Sequence, residues 1–205
     1  MVVSSEAQVA ESLRRIQILQ AITIVWMVAE AGVSLVAAWR AGSPALFAFG
    51  GDSAIELFSA VIVLLRFRAR SSSKQAEKRT ARAAGALLFV LAAYVAVVSV
   101  MKLLGHGEPR TSYLGIGILL AASVVMPWLA REKRRLSVAT GSATLRADAA
   151  QSGICAYLSL IALLGVAANA IWHFPWADPL AALAIVPLIL WEGKEALRGR
   201  PCECG

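Results

Sequence analysis

Six apolar runs, each bounded by charged or turn residues, restrict this chain more than any single motif does. They fall roughly at Ile16–Ala38, Pro44–Leu65, Ala83–Leu104, Tyr113–Ala130, Thr144–Asn169 and Trp176–Leu197. At 1.5 Å rise per residue, a helix of about 20 residues covers the ~30 Å of a bilayer's hydrocarbon core. In lipid every backbone N–H and C=O has to be satisfied within the segment, so runs of this kind are predicted as helices. Composition agrees. The chain is 59% hydrophobic and 16% charged, against about 45–50% and about 25% in soluble domains. The expectation is an all-α integral membrane protein, one domain of six transmembrane helices across residues 1–205.

An even number of spans puts both termini on one side of the membrane, and the basic residues say which side. The N-terminus, the second and fourth loops and the C-terminus hold 17 Lys and Arg, while the opposite loops hold only Arg40, Lys102 and Arg110. Both termini are therefore predicted to be cytoplasmic. The net charge of +7 could suggest a nucleic-acid partner, but bases confined to short loops are topology signals rather than a binding patch. The polar N-terminus followed by an apolar run without a small-residue cleavage site does not read as a cleavable signal. Ser71-Ser72-Ser73, within the loop Arg66–Arg82, reads as a flexible cytoplasmic link, and no soluble domain is expected after Leu197. Most of the tryptophans fall near span ends, as interface anchors do, and His106 and His173 read as solvated loop residues.

The second run carries two acids four residues apart, Asp52 and Glu56, in Phe49-Gly50-Gly51-Asp52-Ser53-Ala54-Ile55-Glu56. That spacing puts both on one helix face. Ionisable groups at such depth are costly and two like charges repel, so the pair calls for a cation or a proton between them. The competing reading ties the acids to a Lys or Arg of a neighbouring helix, but no apolar run carries a base at matching depth.

A second polar stripe runs along the fifth span, where Asp148, Gln151 and Ser152, Cys155 and Ser159 recur at steps of three and four. Cys155 lies nine residues past Arg146 and Glu56 ten before Arg66, about 14 and 15 Å deep at the helical rise. The two stripes reach the same level, so Asp52, Glu56, Gln151 and Cys155 can converge. Two carboxylates, a thiolate and an amide oxygen suit a borderline divalent ion such as Zn²⁺, and sulfur turns preference away from Mg²⁺ and Ca²⁺. Such ligands bind deprotonated, so metal and protons exchange at the site. Other readings remain open for single residues. Cys155 can be a small buried hydrophobe, Gln151, Ser152 and Ser159 interhelical glue, and Asp148 either an acid at the entry to the metal site or supporting its ligands, or the partner of Arg146 or a loop base. Asp178-Pro179 reads as an ordinary helix start, and Glu192 and Glu195 as acids snorkelling to Lys194 and Arg198. Glu30 stays unassigned between proton carrier, supporting partner and helix contact. Cys202 and Cys204, in the tail Pro201-Cys202-Glu203-Cys204-Gly205, can capture a soft cation or be exposed thiols of no consequence.

These motifs together make the chain resemble a cation diffusion facilitator. The likeness rests on Gly42-Ser43-Pro44-Ala45-Leu46 before Asp52-x-x-x-Glu56, on Ala147-Asp148-Ala149 before Gln151-x-x-x-Cys155, and on Asp178-Pro179-Leu180-Ala181 opening the sixth span. It is nearest the subgroup lacking the C-terminal cytoplasmic domain. The resemblance implies a metal site at Asp52, Glu56, Gln151 and Cys155, with Glu, Gln and Cys standing where Asp, His or Asp, and Asp are usual. It implies a homodimer that exports a divalent cation by alternating access in exchange for protons, with no resident cofactor and no enzymatic activity. Zn²⁺ is the first expectation, Cd²⁺ or Pb²⁺ the alternative, and a bacterial inner membrane the expected location. Two other classes stand beside it. A membrane enzyme would need a His-rich centre or an activated nucleophile, and neither is found. A non-transporting sensor or scaffold would make the Cys-x-Cys tail its active part.

Overall fold

The computed structural model describes residues 2–68 and 74–198, with side chains for 14–58, 60–62, 79–142 and 145–198. Six helices follow in chain order: α1 Val2–Ala41, α2 Pro44–Arg68, α3 Lys74–Leu103, α4 Tyr113–Thr140, α5 Ala143–Trp172 and α6 Ala177–Arg198. No strand occurs among the described residues. Five helices are long and apolar enough to cross a bilayer: Arg14–Ala41, Pro44–Ile62, Arg79–Leu103, Tyr113–Thr140 and Leu145–Trp172. α6 falls outside that set, because its 22 residues include Asp178, Glu192, Lys194, Glu195 and Arg198. It packs all the same against α2, α3 and α5.

Large apolar side chains lie on the outside of the bundle, with Val25, Val124 and Leu164 at 71%, 72% and 63% exposure. Water-soluble domains rarely expose continuous apolar surface on this scale; against lipid it is the favoured outer face. The chain is an integral helical membrane protein.

Two expected loops prove to be largely helix. α4 continues ten residues beyond Ala130 to Thr140, and α5 begins at Ala143. The link between them is brief. Gly141 ends α4 in the left-handed region at φ 65°, which glycine enters without Cβ strain. Ser142 then caps α5 by accepting the Leu145 N–H at 3.3 Å. Likewise α2 runs on to Arg68 and α3 starts at Lys74, so much of the basic stretch 66–82 lies on helix ends.

α2 is the central helix, in contact with α1, α3, α5 and α6. Ala45, Leu46, Ala48 and Phe49 are buried in the main core cluster. The paired glycines then let its backbone close on two neighbours. A Cβ on Gly50 would come within 2.8 Å of Ser34 Cβ on α1, and one on Gly51 within 2.7 Å of Leu91 Cδ1 on α3. Asp178 fixes the start of α6 against the start of α2, accepting from Ser43 Oγ and, at 3.0 Å, from the Ala45 N–H. Asp178 does lie in the first turn of α6, as expected of a helix-start residue, but its hydrogen bonds go to the start of α2.

Candidate metal site

The register of α2 turns Asp52 and Glu56 towards α5, and α5 answers with Gln151 and Cys155. Ligand atoms of Asp52, Glu56 and Cys155 all lie within 4.8 Å of one another. Asp52 is 1% and Cys155 2% exposed, and Glu56 is partly buried. Cys155 Sγ is 3.3 Å from Glu56 Oε2 and 3.5 Å from Oε1. The structure therefore brings together Asp52 and Glu56, aligned by their spacing on one helix, with Cys155, matched to them by its depth on another. Among the described residues no N–H or O–H donor reaches either oxygen of Asp52, and the carboxyl of Glu192 stands beside it. A fully buried carboxylate in that condition is costly in a bare protein and is what an ion-binding position looks like.

Gln151 joins the cluster in a different sense from the expected oxygen ligand. Its amide nitrogen donates to Glu56 Oε1 and lies 3.5 Å from Glu192 Oε1. The assigned amide thus bridges two acids, and its oxygen would face a cation only after the amide turned over.

Glu192 is the residue that sequence reasoning missed. It was expected to snorkel to the cytoplasmic edge, yet it is 4% exposed and lies beside Asp52 and Gln151. Only Glu195 behaves as expected, pairing with Arg198 at 3.1 Å. The cause is a close crossing of α3 and α6. A Cβ on Gly85 would meet the Gly193 carbonyl oxygen at 2.8 Å, so these backbones pack in near contact and hold Glu192 inside. The same crossing takes small residues of the third span inside the chain. Ala84, Gly85 and Ala92 are buried within the chain, and only Ala83 of that group is exposed.

Glu30 differs from Asp52 in being fully satisfied. It is buried, accepts the Trp26 Nε1–H at 2.5 Å and accepts Ser53 Oγ–H at 2.6 Å. It therefore braces α1 against α2 at the residue next to Asp52. Trp26 accordingly departs from the pattern of interface anchors.

Asp148 belongs to a neighbouring network. It accepts from Lys133 Nζ at 2.9 Å and from Gln20 Nε2 at 2.6 Å, and Lys133 also donates to Ser152 Oγ at 2.9 Å. Lys133 is completely buried. Position 133 falls in the expected fourth loop, but the continuation of α4 carries Lys133 inward to Asp148 and Ser152, so a base does lie inside the bundle. It resolves the open reading of Asp148 in favour of an ion pair. Cys202 and Cys204 lie outside the described residues.

Residues 21–198 match the family of the cation efflux transmembrane domain. The chain belongs to that family. It is also 27% identical over 179 residues to an uncharacterized transporter of Synechocystis sp., an alignment that covers 83% of this chain and 58% of that protein. The chain thus spans less than two thirds of that relative's length. The family match and the long apolar helices make this chain a multi-pass membrane protein.

Proposed function

We propose that this cation efflux domain moves a divalent metal cation, Zn²⁺ first, out of the cytoplasm through the cluster of Asp52, Glu56 and Cys155. The observation that carries the reading is the pair of Asp52 oxygens, reached by no donor among the described residues, beside Glu56 and the Cys155 sulfur, deep among apolar helices. Hydrocarbon surroundings do not tolerate such a group alone, and a dehydrated divalent ion offsets its charge. Carboxylate oxygen and thiolate sulfur match the ligand preferences of Zn²⁺, with Cd²⁺ and Pb²⁺ favoured further as sulfur dominates. Gln151 sets the position of Glu56 by donating to it. Ligands that bind deprotonated make uptake of metal and release of protons one event, which suits exchange of metal for protons across a bacterial inner membrane.

The working unit is a homodimer held by membrane helices. Its contact surface excludes the α3 glycine, which α6 occupies. Calorimetry of Zn²⁺ binding to the purified protein tests the site. Binding is expected in wild type and lost in Asp52→Ala and in Glu56→Ala; unaltered binding in both variants would reject it.

A further inference from the structure

We infer that Glu192 is the fourth ligand of the transported cation, supplied by α6 to an ion already held by α2 and α5. This inference rests on the metal site proposed above and extends it to a third helix. Four-coordinate Zn²⁺ needs one donor more than Asp52, Glu56 and Cys155 provide. Gln151 is occupied otherwise, its amide nitrogen turned to Glu56 and Glu192. Glu192 is 4% exposed, no donor among the described residues reaches its Oε2, and its carboxylate stands next to that of Asp52.

Two ionised carboxylates side by side, with no donor among the described residues reaching three of their four oxygens, repel each other in a medium of low dielectric constant. A divalent cation between them reverses the sign of that interaction. Glu192 lies outside the trio whose ligand atoms fall within 4.8 Å of one another. The ion closes the gap by drawing its carboxylate in, so the position of α6 becomes sensitive to whether metal is bound. Asp178 holds the other end of α6 to α2 through Ser43 and Ala45, which confines that adjustment to the Glu192 end.

The test compares Glu192→Gln and Glu192→Asp with wild type and with Asp52→Asn, all purified intact in nanodiscs. Zn²⁺ affinity is read by calorimetry, and the ligand set by the visible spectrum of the Co²⁺-loaded protein. Glu192→Gln is expected to lower Zn²⁺ affinity roughly tenfold or more, since losing a ligand costs at least what losing a ligand's supporting partner does. The Co²⁺ ligand-field bands should change while the sulfur-to-metal charge-transfer band persists. Glu192→Asp, which keeps the charge but retracts it by one methylene, should change the same bands and weaken binding less. If Asp52→Asn loses metal while both Glu192 variants keep wild-type affinity and spectrum, Glu192 is not a ligand and the three-residue site stands. If wild type binds neither metal, the site and the place of Glu192 in it are both overturned.

Discussion

At the scale of single residues, the separation between Asp52, Glu56 and Cys155 on one side and Lys133 and Glu192 on the other shows what a sequence carries. A spacing of four is a local property of a helix, so the shared face of Asp52 and Glu56 was legible before any fold was known. Lys133 and Glu192 were not legible, because a charged residue near a span end has the same sequence signature whether it points to water or inward. Sulfur at position 155 yields the first prediction. Cys155→Asp should retain transport but move preference from Cd²⁺ and Pb²⁺ towards harder ions, and Cys155→Ser should weaken binding without loss of fold. Metal panels in vesicle flux and calorimetry read both, and unchanged preference in both variants would reduce Cys155 to a packing residue. The Lys133–Asp148 pair gives the second. Lys133 is fully buried while the Asp148 side chain is 31% exposed, so Asp148→Asn should cost about 3 kcal/mol, the lower end for breaking a buried pair. Replacing both, as Lys133→Met with Asp148→Leu, should recover most of that in thermal unfolding; no recovery would mean that the pair is not the source of the loss.

At the scale of helices, the apolar runs were legible and their ends were not. Hydrophobicity marks where a helix lies in lipid but is silent on how far it continues into water, which is why α4 and α5 outrun their expected limits and meet at Gly141 and Ser142. The rotation of α6 was hidden for another reason. It depends on the fit of Gly85 against Gly193, residues 108 positions apart in the chain, and no local pattern encodes that pairing. Gly85→Ala would push a methyl against backbone, 2.8 Å from the Gly193 oxygen and 3.1 Å from the Leu197 nitrogen. Backbone cannot swing aside as a side-chain tip can, so a loss of about 1–3 kcal/mol is expected, with weaker Zn²⁺ binding as Glu192 is displaced. Wild-type melting temperature and affinity in Gly85→Ala would show that α3 and α6 are not held this closely.

At the scale of the whole molecule, six helices, four of them packed on α2, form a membrane domain in which α2, α5 and α6 meet at one acidic and sulfur-bearing centre. The distribution of 17 bases against 3 predicts that both ends face the cytoplasm. In intact cells a membrane-impermeant thiol reagent should leave Cys202 and Cys204 unlabelled until the membrane is opened; labelling of both without opening would invert the topology. The central claim is that Asp52, Glu56 and Cys155 hold the ion that the domain moves. Its most direct test is Zn²⁺ flux in proteoliposomes carrying a pH gradient, for wild type beside Asp52→Ala and Glu56→Ala. Saturable, gradient-driven Zn²⁺ movement is expected in wild type and none in either variant at equal protein incorporation. Flux undiminished in both variants, or absent from wild type that binds Zn²⁺, would contradict it.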